Sequence, residues 1–302
     1  MNTSTSKTPL YIFGEVLFDC FPDSSRVLGG APFNVAWHLR AFGLDPNLIS
    51  AVGDDDMGRE IKEQMQNWGL STGLLETDPA HSTGVVNVSF NDQKEPSYVI
   101  EQNASFDFIR AKRLPTLDSD SLFYHGTLAI RNETSYTSLQ KILDENHPRR
   151  FIDVNLRDPW WERDKTLRIL QYADYVKLNL DELKTLGEFQ PGENWIEQAH
   201  EFKAMHNIVI LLITRGKDGV TLIDELDQVI EPDKPPENAS FVDSVGAGDA
   251  FAAMALLGIA LDWDWLTTIE RAQAFASFIV SQRGATCGDS AVYEDFRTFW
   301  SI

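Results

Sequence analysis

An α/β protein built on a doubly wound sheet is what the sequence predicts, on three observations. Short, strongly apolar runs alternate with longer amphipathic stretches along most of the chain, as strands do when helices cover both faces of their sheet. Two stretches, 16–30 and 82–102, break that rhythm and alternate apolar with polar residues around turn signals, the pattern of a half-exposed sheet. The 302 residues are 43% hydrophobic and 24% charged, enough to bury a large core in one domain.

The polar start, MNTSTSKTPL, has no apolar h-region and reads as neither signal nor anchor; residues 1–7 are expected to be a disordered tail before a domain spanning 8–302. Strands follow at LYIFG (10–14), NLISAVG (47–53), SLFYHG (121–126), RFIDVN (150–155), YVKLN (175–179), IVILLIT (208–214) and GVTLID (219–224). Helices are expected between them, near 32–42, 57–68, 194–206, 246–260 and 264–283. The segments VLFDCFPDSSRVLGG (16–30) and STGVVNVSFNDQKEPSYVIEQ (82–102) can pair into a small second sheet. Ligands of doubly wound folds bind beyond the carboxyl ends of the strands, so a sheet lying there would act as a lid. Val86, Val88 and Phe90 share one face of that sheet, which would suit either a homodimer clasp or a cover for the chain's own site. No internal repeat, low-complexity block or Pro-rich linker divides the chain.

A formal charge of −20 argues against nucleic acid, which is bound through an excess of Lys and Arg. No apolar run approaches a membrane span, so no membrane partner is expected. Cys20 and Cys287 lie far apart without metal-type spacing, which fits reduced thiols and a cytoplasmic enzyme. Trp160, Trp161, Trp263 and Trp265 read as core or interface packing, since nothing basic interleaves them in sequence.

The most informative stretch is FVDSVGAGDAF (241–251). A strand-like segment leads into three small residues, Gly246, Ala247 and Gly248, and Asp249 then opens a helical apolar run. Amides at a helix start have no intrahelical partners and attract anions. Those three residues would hold a phosphoryl group while Asp249 takes a proton from the attacking hydroxyl. The bland alternative is a tight turn with Asp249 as a helix cap. No GK[ST] follows the glycines, so this is not a Walker A loop. The stretch resembles the C-terminal signature of the ribokinase or PfkB family of carbohydrate kinases, usually DTxGAGD, with Ser244 in the Thr position.

Further segments match that family in order. GExxxD ends at Asp19, and GGAPFN carries Gly29, Gly30 and Asn34 at the opening of a helix. The resemblance assigns these to the acceptor sugar, and carboxylate and carboxamide groups suit ring hydroxyls; a surface charge and a helix-start Asn are the plain alternatives. DVNLR places Arg157 past a strand end, where similar fructokinases carry DxNxR; it would clamp phosphate or simply pair with Asp158. KLNLDEL supplies Asn179 and Glu182, the family's NxxE pattern for Mg²⁺ and phosphate, or a helix cap with an acid in the first turn. TRGKDG offers Thr214, Gly216 and Gly219, which resemble the family's nucleotide loop and by themselves form a hairpin turn. Asp243, with the segment 281–288, is the counterpart of a monovalent-cation site, making K⁺ a candidate beside ATP and Mg²⁺.

The resemblance runs from Gly14 to about Ala285 and implies a ribokinase-like three-layer α/β/α sandwich with a β-sheet lid. It further implies ATP-dependent phosphorylation of a sugar, with D-fructose favoured by GExLFD, GGAPFNVA and DVNLR together. Another sugar such as ribose or 2-keto-3-deoxygluconate, and a non-catalytic sugar sensor, are the other readings. A phosphosugar acceptor would need a cationic pocket, for which Arg26, Arg40 and Arg157 are the candidates.

Overall fold

In the computed structural model the chain begins with β1 (Leu10–Phe13), β2 (Leu17–Cys20), β3 (Arg26–Gly29), α1 (Ala31–Ala41), β4 (Pro46–Gly53), α2 (Asp56–Asn67), β5 (Leu75–Asp78), β6 (Gly84–Phe90) and β7 (Pro96–Ile100). It continues with β8 (Leu122–His125), α3 (Glu133–Glu145), β9 (Arg149–Asp153), α4 (Arg163–Leu170), β10 (Tyr175–Asn179), α5 (Leu180–Gly187), α6 (Trp195–Met205) and β11 (Ile210–Thr214). It closes with β12 (Val220–Ile223), β13 (Val229–Ile230), α7 (Ala247–Ala260), α8 (Trp265–Ile279) and α9 (Ser290–Trp300). The structure describes residues 8–90, 93, 96–190, 192, 194–234, 242 and 245–302. The expected tail over 1–7, Asp243 and the side chain of Phe90 lie outside the described residues.

The main sheet has the order β13–β12–β11–β10–β9–β8–β1–β4–β5. Its pairs are parallel from β11 through to β5, and antiparallel only at the β11–β12 and β12–β13 edge. From β1 the chain winds one way to β4 and β5, and from β8 the other way to β9, β10 and β11, so the winding reverses between β1 and β8. Alternate residues of these strands serve two separate cores. Ile12, Tyr124, Phe151 and Leu212 pack with Phe33, Ile61, Phe251, Phe275 and Tyr293 of α1, α2, α7, α8 and α9. Phe13, Ile152, Val176 and Leu211 pack with Leu139, Ile169, Leu183 and Phe202 of α3, α4, α5 and α6. The result is the expected three-layer sandwich. α7 is apolar all round and buried from Asp249 through Ile259 because α1 and α8 both press on it.

Both rhythm-breaking segments form the second sheet, in the order β3–β2–β6–β7. Parallel pairing of β2 with β6 sets Asp19 opposite Val86, and the β2–β3 hairpin sets Leu17 opposite Gly29. Val86 and Val88 are buried within the chain itself, so the face carrying them covers the molecule's own interior. Among the described residues, the large apolar side chains this lid exposes are Val27, Tyr98 and Val99. Among the described residues no helix is long and apolar enough to cross a membrane.

Leu212 sits at the middle of β11 with 0% exposure. Leu212→Ala should cost about 2–5 kcal/mol through lost burial and a residual cavity, read as a fall in urea midpoint with little change in slope.

Candidate active site

Two helices that begin on glycine converge where the winding reverses. β1 runs out through Gly14 into Glu15, and the lid hairpin returns through Gly29 and Gly30 into α1. Gly30 has φ +107° and caps α1 without a side chain; a Cβ there would lie 2.7 Å from the Glu15 carbonyl oxygen. α7 starts likewise at Gly246, in the left-handed region at φ +82°, where a Cβ would come within 2.4 Å of the Ala285 backbone. By contrast α2, α3, α5, α6, α8 and α9 each start on an Asp or Asn whose side chain accepts a first-turn amide. At α1 Pro32 has no N–H and the Ala31 amide bonds the Glu15 carboxyl, whereas no side chain caps the first turn of α7, at the positive end of that helix.

Asp249 lies in the first turn of α7 and is buried. Its Oδ2 accepts a 2.8 Å hydrogen bond from Asn34 Nδ2 of α1. Burial pushes the Asp249 carboxyl up to about 6, against the Asn34 hydrogen bond and the Lys177 and Arg157 charges, while Asp153 adds to the rise. The other oxygen of that amide, Asn34 Oδ1, is buried with no partner. Asp19, on β2, is likewise pushed up to about 6 by burial and held down by Arg157; its Oδ2 is 3.2 Å from the position a Gly29 Cβ would take. Arg157 is exposed and faces Glu15, Asp19 and Asp249. It does not pair with Asp158, whose Oδ1 instead accepts from Trp161 Nε1 at 2.7 Å. The other cations considered for a phosphosugar are spent elsewhere, Arg26 on Glu60 and Arg40 on Asp45.

Register brings a second set together at the ends of β10 and β11, where Asn179 pairs with Thr214. Thr214 leads into a tight hairpin whose Gly216 and Gly219 have φ +57° and +92°, and nothing lies within 4 Å of a Gly216 side-chain position. Asn179 and Glu182 form a reciprocal capping box on α5. Glu182 Oε2 accepts the Asn179 amide and Oε1 the Leu156 amide, both at 2.8 Å. No group of three or more potential metal-ligating side chains occurs among the described residues. The region matched to a monovalent-cation site is strapped down: the carbonyls of Ala285 and Cys287 accept from His38 Nε2 and Trp37 Nε1 at 3.0 and 2.9 Å.

Three residues of this site were missed in the sequence. Glu15, at 4% exposure, is pushed up to about 7, first by burial and then by Asp249, and its Oε2 is buried without a partner. Asp153 and Lys177 form a buried ion pair beneath α7. The signal was there, in a charge set inside each of the apolar strands RFIDVN and YVKLN. Trp160, Trp161, Trp263 and Trp265 are partly buried and pack against the two cores, as expected, with Arg131 4.6 Å from the Trp160 ring and Arg271 4.2 Å from that of Trp263.

A profile of the pfkB family carbohydrate kinases matches residues 20–290. The chain belongs to that family. It is 32% identical over 298 residues to a fructokinase of Escherichia coli, covering 91% of this chain and 94% of that protein. Among solved structures it is similar to a fructokinase double mutant of Vibrio cholerae O395 in fructose, ADP and potassium ion bound form, with a TM-score of 0.81 at 22% identity over 97% of this chain and 99% of that one. It is similar in the same way to the aminoimidazole riboside kinase of Salmonella enterica complexed with aminoimidazole riboside and an ATP analog, at a TM-score of 0.79 and 22% identity over 95% and 99% of the two chains. This pfkB-family chain is a carbohydrate kinase with a ribokinase-like fold.

Gly246→Ala would force a Cβ into the Ala285 backbone in a left-handed conformation, which costs about 1–2 kcal/mol from the conformation alone. The variant should melt lower and lose turnover together, because the turn that starts α7 must shift.

Proposed function

We propose that this kinase transfers the γ-phosphoryl group of ATP to a primary hydroxyl of a ketohexose, with D-fructose as the acceptor. The observation that carries the reading is the buried Asn34–Asp249 hydrogen bond joining the lid-side helix α1 to the glycine-started turn of α7. Asp249 accepts the hydroxyl proton as the acceptor oxygen bonds to phosphorus and the bond to the ADP oxygen breaks. The turn Gly246–Ala247–Gly248 receives negative charge on the phosphoryl oxygens through its amides, and Arg157 faces the same charge from the loop after β9. Asp19, Gly29, Gly30 and Asn34 hold the acceptor beneath the lid, the unpartnered Asn34 Oδ1 accepting from one of its hydroxyls.

Asn179, Thr214, Gly216 and Gly219 form the nucleotide side of the site. Glu182 would hold Mg²⁺: each of its two oxygens accepts one amide, and a carboxylate oxygen keeps a further lone pair with which it could bind the ion. When bound, the ion neutralises charge developing between the β- and γ-phosphates. K⁺, with Asp243 as a ligand, would have to draw on carbonyls of 281–288 other than those of Ala285 and Cys287, which already accept from His38 and Trp37. Fructose is favoured by the E. coli relative; a riboside acceptor is the second reading, favoured by the equal structural likeness to the Salmonella enterica kinase. A homodimer formed through the lid would use Val27, Tyr98 and Val99.

The direct test is ADP release with ATP and Mg²⁺, with and without K⁺, across fructose, ribose, glucose, 2-keto-3-deoxygluconate, aminoimidazole riboside and a no-sugar blank. Turnover on fructose well above the others is expected, and preference for a riboside would move the acceptor assignment. Asp249→Asn should lower kcat by about 10²-fold or more with an unchanged melting temperature. Because the base must be ionised, kcat/KM should rise with pH through about 6 and level off above it. Asn34→Ala removes a hydrogen bond that holds the carboxyl down, so that midpoint should move to higher pH.

A further inference from the structure

The turn that starts α7 rests on a buried ion pair. Lys177 of β10 and Asp153 of β9 are register partners on adjacent parallel strands, on the sheet face that α7 covers. Lys177 Nζ lies 2.8 and 2.9 Å from the two Asp153 oxygens, with side chains only 7% and 2% exposed. The same ammonium stands 3.5 Å from where a Cβ on Gly248 would project. It has no other hydrogen-bond acceptor among the described residues, so two of its three protons serve Asp153 and the third is uncommitted.

Stability does not account for this pair. Desolvating two charges costs several kcal/mol each, and apolar residues of similar volume often replace such pairs at no loss. A chain of net charge −20 that handles a polyphosphate, however, needs a placed cation. Two other candidates, Arg26 and Arg40, are tied to Glu60 and Asp45, while Arg157 is exposed and so screened by water. Low-dielectric surroundings give a buried charge the longer reach.

We propose that Lys177 is the cation of the phosphoryl-binding turn, held by Asp153 under Gly248 so that its charge acts on the first-turn amides of α7 and on Asp249. A side chain at Gly248 would cover that ammonium, which gives the second glycine of the turn its reason. Lys177 is a positioning residue, acting by charge and not by proton transfer. The inference rests on Asp249 as base and the α7 turn as anion hole. Asp249 is faced by Asn34 of α1, Glu15 after β1, Tyr124 of β8, Asp153, Lys177 and Arg157. Glu182 of α5 also faces the ion pair, its carboxyl lowered by Lys177 and raised by Asp153. On Asp249 the two members of the pair act in opposite senses, Asp153 raising its carboxyl and Lys177 lowering it.

The experiment compares pH profiles of kcat/KM for the wild type, Asp153→Asn, the double variant Lys177→Gln/Asp153→Asn, and Asp249→Asn. Asp153→Asn removes the negative neighbour and leaves the ammonium unopposed, so its acid limb should move to lower pH. The double variant is a neutral pair of similar shape; it should keep the wild-type acid limb, since opposite effects are removed together, while kcat falls on the order of 10²-fold and the KM for ATP rises more than that for the sugar. If the neutral pair does not fold, Lys177→Met/Asp153→Leu gives the same reading with an apolar pair. An unmoved limb in Asp153→Asn, or wild-type kcat in the folded double variant, overturns the assignment while Asp249→Asn is inactive. Turnover surviving in Asp249→Asn instead overturns the base itself, and the role of Lys177 with it.

Discussion

Asn34 and Asp249 are 215 residues apart in sequence and share one buried hydrogen bond; most of what is distinctive about the site follows from it. A carboxylate taken out of water must be compensated, and here the partner arrives on the helix that the lid hairpin feeds. The bond therefore ties three things into one geometry: the lid strands β2 and β3, the start of α1, and the start of α7. It also uses only half of the Asn34 amide, leaving Oδ1 buried and unsatisfied. A buried acceptor of that kind is expensive to leave unmade, which is the physical basis of the proposed contact between Asn34 and an acceptor hydroxyl.

Glycine is the device that makes this convergence possible. At Gly30 and Gly246 the chain turns through conformations and contacts closed to other residues. Both positions also forgo the side-chain caps that start most of the other helices. The molecule gives up the stabilisation of two N-cap side chains, each worth about 1 kcal/mol: the start of α1 is met by the Glu15 carboxyl instead, and that of α7 by no side-chain cap.

The charges around the two helix starts are unusually close for so acidic a protein. Among the described residues Glu15, Asp19, Asp153 and Asp249 are faced by two cations, Lys177 and Arg157, and burial raises three of the four acids toward neutrality. Of the acids, Asp153 alone is directly ion-paired. Electrostatic separation of neighbouring carboxyls, one paired and the others raised, is how a cluster of acids can include both a proton acceptor and hydroxyl-binding groups.

The strands, the lid segments and the α7 turn were legible in the sequence because each is a local pattern. Period-2 alternation marks 16–30 and 82–102, apolar runs mark the strands buried on both faces, and small residues before an apolar run mark Gly246–Gly248. β5, β13 and the helices α3, α4, α5 and α9 carry no such local pattern and were not legible. The pairing of Lys177 with Asp153 was decided by parallel register across residues 24 apart, and Arg157 faces Glu15 after β1, Asp19 of β2 and Asp249 of α7 rather than its neighbour Asp158. By itself the sequence determined the layers, the lid and the motif that starts α7, since periodicity and backbone permissiveness are properties of neighbouring residues. Which buried charges face one another was settled only by tertiary structure, because electrostatic partnership depends on distance through space and on exclusion of water, neither of which is written along the chain.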